Sequence, residues 1–371
     1  MRSILMLAAV VLAACDTVSR DAARLDSSKT TSDSAAGAVG LDTGAAHYGV
    51  TGDSSKARLL VDTGAVSVYP EKPVRGGVVV ALLRSDSSTA PRCTWRGKAT
   101  PCHASDSGVR VFVPLSADDS AGTFALTIET PNARITRQIV VADRDFGREL
   151  ILLSDSLYGL VKRRADIARD ARAVHQVLAG VGNEQRWTGR WRDPAREREK
   201  TSPYGIERFY APALDSSRTI PLSTPKALAG FGTDTLRNGN SELPGWRHAG
   251  IDIARFKGSI VTAPAGGLVA DIGEYTLMGR TVFIDHGLGV FSAFFHLDTA
   301  LVRRGDIVRA GQEIGRVGRS GLATGPHLHY GVYVNGRDVD PALWRDAVEW
   351  MTGRGRAIAS RDTTHGSKES K

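Results

Sequence analysis

Gly325-Pro326-His327-Leu328-His329-Tyr330 decides how this sequence is read. Two histidines stand one residue apart in a run that continues Gly331-Val332-Tyr333-Val334. The run alternates and is rich in β-branched and aromatic residues, which predicts a strand. Positions i and i+2 of a strand share a face, so His327 and His329 are expected to project into one space. Upstream, His248-Ala249-Gly250-Ile251-Asp252 carries a second pair, His248 and Asp252, and His296 ends the apolar run from Phe291 to Phe295. Imidazole and carboxylate are what zinc takes when a site keeps one position open for water. Of His248, Asp252, His296, His327 and His329, three are expected to hold a metal and two to work on its water.

Short β-rich runs surround these residues, among them Gly267-Leu-Val-Ala-Asp-Ile272 and Thr281-Val-Phe-Ile-Asp285. Glycines at 305, 311, 315, 318 and 321 mark turns and bulges, so residues 221–348 read as a glycine-rich antiparallel β domain. The stretch from Asp306 to Gly318 resembles biotinyl or lipoyl carrier domains. The Met-Lys-Met acceptor such a domain needs is missing, and that reading is set aside. His286 sits at a strand-to-turn junction and His175 on a helix; neither is given any chemistry.

Taken together, residues 231–342 resemble the lysostaphin/LytM-type zinc metallopeptidases, family M23. The resemblance rests on Phe231-Gly232, His248-Ala-Gly-Ile-Asp252, Val282-Phe-Ile-Asp-His286-Gly287, Phe294-Phe-His296-Leu297, the Gly305-to-Gly318 framework, Thr324-Gly-Pro-His327-Leu-His329-Tyr330 and Val339-Asp-Pro341. It covers about a third of the chain. HxxxD and HxH are each weak alone, but together with the third histidine and the glycines they are specific. The family implies a duplicated-hybrid-motif β fold, one Zn2+ per chain, zinc ligands His248, Asp252 and His329, and catalytic histidines His296 and His327. Phe294 stands where many members have Tyr, which is expected to remove a hydroxyl from the rim.

The rest of the chain sets the compartment. Ile4 to Ala14 is an apolar stretch behind Arg2, too short to span a bilayer and suited to a secretion signal. Leu12-Ala13-Ala14-Cys15 resembles a bacterial lipobox, which implies cleavage before Cys15, a lipid anchor there, and a place on the periplasmic side of the cell envelope. Asp16 points to inner-membrane retention by resemblance to enteric sorting rules; inner and outer membrane both stay open. Residues 16–55 are poor in large apolar groups and read as a disordered tether. Short strands separated by turns over 56–150 predict an immunoglobulin-like β-sandwich, with Cys93 and Cys102 in a connection where they can pair or stay free. Helical spacing from Leu157 to Leu178 predicts one helix within 153–180, its charged face (Arg163, Asp166, Arg169, Asp170) solvated. Residues 183–220, polar and Arg-rich around Trp187 and Trp191, read as a linker or cover, and 349–371 as a disordered basic tail. The whole is therefore expected to be mainly β, with a short helical linker between two β domains.

The chain of 371 residues carries a net charge of +8 and a pI near 9.5. That balance favours polyanions such as an acidic wall polymer. No basic run interleaved with aromatics suggests nucleic acid. The resemblance implies a peptidoglycan endopeptidase. Its rival is a non-catalytic LytM-type regulator that activates a cell-wall amidase, with division proteins as further partners. Relatives of that kind have lost metal ligands, and all five site residues are present here.

Overall fold

The computed structural model describes residues 66–353 except 85–90, 106–107, 132, 181, 196–199, 214–217 and 222–244. Cys15, the tether, Phe231-Gly232 and the tail beyond 353 lie outside the described residues. The fold is mainly β.

Eight strands come first: β1 (Val66–Tyr69), β2 (Val78–Leu83), β3 (Arg92–Trp95), β4 (Lys98–Thr100), β5 (Cys102–Ser105), β6 (Gly108–Pro114), β7 (Gly122–Thr130) and β8 (Ala133–Val141). They make two four-stranded sheets, ordered β1-β2-β6-β5 and β4-β3-β7-β8. The two sheets share one core, built from Val79, Ala81 and Val111 with Leu126, Ile128 and Ile139. β2 explains its own unbroken apolar run. Val79 and Ala81 enter that core, while Val78 and Val80 join the core of the C-terminal domain. Burial on both faces removes the need for polar alternation. Cys93 and Cys102 are bonded, and they sit on β3 and β5 rather than in a connection, tying one sheet to the other. The short charged runs around them carry no strand period of their own.

Next come β9 (Arg148–Leu153), α1 (Asp155–Lys162) and α2 (Arg164–Leu178). The single helix expected over 153–180 is thus two, broken at Arg163, whose ψ of 60° leaves the helical region. Asp170, expected in solvent, is buried and accepts a hydrogen bond from the Thr276 N–H at 2.6 Å. A helix face that docks on a loop needs such an acceptor, and helical periodicity does not reveal it.

Residues 183–220 are more than a linker. Trp187 and Trp191 are buried and meet Trp344 edge-on, at centroid distances of 6.1 and 5.5 Å. The same segment supplies β10 (Lys200–Ser202), β11 (Glu207–Pro212) and β12 (Arg218–Pro221). Of these, β11 and β12 join β9 and β13 (Gly245–Arg247) in a third sheet, β12-β9-β11-β13, in which β9 and β11 run parallel across the helical connection.

The C-terminal domain holds β14 (Ile251–Ala254), β15 (Ile260–Thr262), β16 (Gly267–Tyr275), β17 (Gly279–Gly287), β18 (Val290–Ala300), β19 (Ile307–Val308), β20 (Glu313–Val317), β21 (His327–Val334) and β22 (Arg337–Val339). Its main path is β10-β14-β21-β18-β17-β16-β19, so β10 from the cover segment joins this sheet as an edge strand. A last helix, α3 (Pro341–Met351), starts at Asp340, which accepts from the Ala342 N–H, and it carries helical structure past the expected tail boundary at 349. Among the described residues no helix is long and apolar enough to cross a membrane.

Candidate metal centre

β14 and β21 pair antiparallel, with Asp252 opposite His329 and Ala254 opposite His327. Residues 327 and 329 share a face, as the alternation requires. His248 lies one short loop before β14. Its N–H donates to the Ile206 carbonyl at 2.9 Å and its carbonyl accepts from Gly205 at 2.8 Å, so the cover segment holds its backbone. Gly250 permits the approach: a Cβ there would stand 2.4 Å from the Tyr330 oxygen and 2.7 Å from His329 Nε2.

The side chains converge. His248 Nε2 is 3.0 Å from Asp252 Oδ1 and 2.9 Å from His329 Nδ1, and His329 Nδ1 is 3.0 Å from the same carboxylate oxygen. All three residues are buried, and these atoms form the one group of metal-type donors found among the described residues. The His248 Nδ1–H donates to the Pro203 carbonyl at 2.8 Å, so Nε2 of the neutral ring has only a lone pair to offer. That lone pair faces a carboxylate oxygen and a second imidazole nitrogen. A cation between them relieves the repulsion, so the donor set fits a metal that takes two imidazoles and a carboxylate. The His329 ring is oriented by packing, stacked on Phe295 at 4.6 Å and 4°.

Electrostatics favour the metal-binding protonation states. Burial lowers His248, helped by the Arg208 charge, and it pushes His329 down to about 4. Both rings are held neutral. Burial alone would raise Asp252; the neighbouring Arg208 charge acts against it, and the carboxyl lies well below its usual range. Arg208 reaches Asp252 Oδ2 from β11 at 2.8 Å.

Two more imidazoles border the cluster. His296 sits at a bulge: Arg280 pairs with Leu297 and Val282 with Phe294, leaving one extra residue on β18. Its φ is 60°, an unusual backbone state that turns the ring toward the cluster. The His296 Nδ1–H donates to the Ser320 carbonyl at 2.8 Å, and that of His327 to the Gly325 carbonyl at 2.9 Å. Each ring therefore keeps Nε2 as a proton acceptor. Their centroids are 4.6 Å apart, and His327 Nε2 is 3.7 Å from Asp252 Oδ1. Burial, then the neighbouring imidazoles, pushes His296 well below its ordinary value. The structure thus brings all five expected residues together. Phe294 is not on the rim: it is fully buried and stacks on Tyr330. His286 is buried too, donating from Nδ1 to the Gly266 carbonyl and accepting at Nε2 from the Ser292 hydroxyl.

A cavity of about 150 Å3 reaches His248, His296 and His329, walled by Ala171 and Val174 of α2 and by Tyr210 and Trp246. Pro203 and Arg208, both outside the C-terminal domain, went unnoticed in the sequence. Neither belongs to a motif, and the contact of each is made only by folding.

A buried two-imidazole, one-carboxylate cluster with two further imidazoles beside it, on a glycine-rich β scaffold, defines a metallopeptidase type of centre. Residues 246–341 match the model of Peptidase family M23. Over 97 residues the chain is 42% identical to the DD-carboxypeptidase/endopeptidase Mpg of Neisseria meningitidis, which covers 26% of this chain and 22% of that protein. Over 93 residues it is 39% identical to the peptidoglycan DD-endopeptidase ShyA of Vibrio cholerae, covering 25% and 22%. A crystal structure of a putative M23 peptidase from Pseudomonas aeruginosa aligns over 74% of this chain and 95% of that one, at 25% identity and a TM-score of 0.48. The match spans only about a fifth of the length of these curated relatives.

Proposed function

We infer that the protein is a zinc endopeptidase that hydrolyses peptide cross-links of peptidoglycan in the cell envelope. The observation that carries this reading is the meeting of His248 Nε2, Asp252 Oδ1 and His329 Nδ1 within 3.0 Å of one another. These three residues would hold one zinc ion per chain. Zinc bound in such a shell lowers the pKa of a water toward neutrality and polarises the scissile carbonyl.

His327 and His296 do the proton work. Both have Nδ1–H committed to a backbone carbonyl, so Nε2 of one can take the attacking water's proton and pass it to the leaving amine. The other, having taken a proton from solvent at Nε2 before the substrate binds, would donate it as a hydrogen bond to the oxygen that gains charge on the former carbonyl. The names of Mpg and ShyA support a DD-type cross-link as the bond cut. The net charge of +8 suits an anionic wall polymer, and the Cys93–Cys102 bond suits an oxidising compartment. Anchoring through Cys15 would place the domain on the periplasmic side of a membrane.

The test is digestion of purified wall sacci by the full chain, with and without a chelator. Release of new amines that stops with chelator and returns with zinc supports the reading. No cleavage by zinc-loaded protein, with stimulation of a wall amidase instead, replaces it with the regulator.

A further inference from the structure

We propose that Arg208 is a positioning residue of the metal centre, contributed by the cover segment and fixing which oxygen of Asp252 faces the two ligand imidazoles. The proposal rests on the metal-binding reading above. Arg208 lies on β11, outside residues 246–341. Its guanidinium is nearly buried and tied at three points. Nη2 donates to Asp252 Oδ2 at 2.8 Å and to the Ser202 hydroxyl at 2.6 Å, and Nε donates to Glu149 Oε1 at 2.6 Å. Ser202 is itself opposite Asp252 where β10 pairs with β14. Glu149 comes from β9 and is also buried. Three strands therefore converge on the far side of one carboxylate.

The geometry divides the carboxylate's two oxygens. Oδ2 is occupied by the guanidinium, and Oδ1 is left to His248 Nε2 and His329 Nδ1. A planar fork with several fixed anchors holds a carboxylate plane far better than a single mobile donor does. A ligand held by an outer partner binds its metal more tightly, typically by tenfold to a hundredfold.

Charge and orientation predict opposite outcomes, which makes the proposal sharp. A buried cation beside a metal site repels the metal, so charge alone predicts tighter binding once Arg208 is removed. Orientation predicts weaker binding. The competing structural role, in which Arg208 merely neutralises Asp252 in the fold, predicts lower stability of the metal-free chain with unchanged metal binding.

The experiment uses the full chain as wild type and as Arg208→Met, Arg208→Lys and Glu149→Gln. Zinc dissociation constants are measured by competition with a chromophoric chelator, the cobalt(II) visible spectrum is recorded, and the metal-free melting temperature serves as control. The expected result is a dissociation constant raised about tenfold to a hundredfold in Arg208→Met, with a shifted cobalt band, and smaller increases in the other two. Equal or tighter zinc binding in Arg208→Met with an unchanged cobalt spectrum overturns the proposal, whatever its melting temperature. If Arg208→Met does not fold, Arg208→Lys and Glu149→Gln decide by the same criterion. The wild-type constant separates the two levels: no zinc binding by wild type removes the peptidase reading and this proposal with it, whereas normal wild-type binding and unaffected variants remove this proposal alone.

Discussion

Replacing His327 with alanine separates proton handling from metal holding. His327 Nε2 is 3.7 Å from Asp252 Oδ1, whereas the two ligand nitrogens are each 3.0 Å from that oxygen. The variant keeps all three donors and loses one base. General acid–base catalysis contributes about a hundredfold to ten-thousandfold, so kcat is expected to fall by on the order of a hundredfold or more, about 3 kcal/mol in the barrier. His296 stays, its ring centroid 4.6 Å from the deleted imidazole, and holds the loss short of complete inactivity. Folding is little affected. The side chain is 15% exposed, and the hydrogen bond it gives up, to the Gly325 carbonyl, is worth roughly 1 kcal/mol. The assay is amine release from purified sacci, with zinc per chain measured on the same sample. A variant that purifies without zinc makes His327 a ligand, and one with unchanged kcat makes it a bystander. Either result refutes the division of roles.

Three further outcomes are expected. Tyr204→Phe removes a hydroxyl that donates to Asp338 Oδ2 at 2.6 Å and accepts from the Ala117 N–H at 3.1 Å, at the seam between sandwich and C-terminal domain. Urea unfolding should show a loss of about 3 kcal/mol, and a loss below roughly 1 kcal/mol contradicts the assignment. Burial lowers His286 from 6.5 to about 4, so the unfolded chain takes up its proton first as pH falls. The stabilising effect is complete above pH 6.5 and shrinks toward pH 4 by about 3 kcal/mol; an NMR titration midpoint near 6.5 would disprove it. Chelation should lower the melting temperature. Zinc at about a thousand times its dissociation constant stabilises by roughly 4 kcal/mol, and identical melting curves with and without zinc would speak against a metal in the folded chain.

What could be read in the sequence was what is local or periodic. His327 and His329 announce their shared face by strand alternation, and the His248-to-Asp252 spacing with Gly250 is compact enough to stand out. The sandwich was visible wherever strands alternate, yet β3 to β5 were not, because runs such as Arg92-Cys93-Thr94-Trp95 are strands only by virtue of their partners. The third sheet was missed for the same reason: Arg208 and Tyr210 sit in an Arg-rich stretch without a period, and β9 finds its parallel neighbour across two helices. Asp170 looked like one charge among many on a helix, and only the docked Thr276 N–H distinguishes it. Contacts 44 residues apart, such as Arg208 on Asp252, leave no trace in spacing.

The central claim is that His248, Asp252 and His329 hold a zinc ion. Diffraction from zinc-loaded crystals of the full chain on both sides of the zinc absorption edge tests it most directly. The account predicts one anomalous peak per chain, about 2.0–2.2 Å from His248 Nε2, His329 Nδ1 and an Asp252 carboxylate oxygen. A peak elsewhere, or no peak in zinc-loaded crystals, contradicts it.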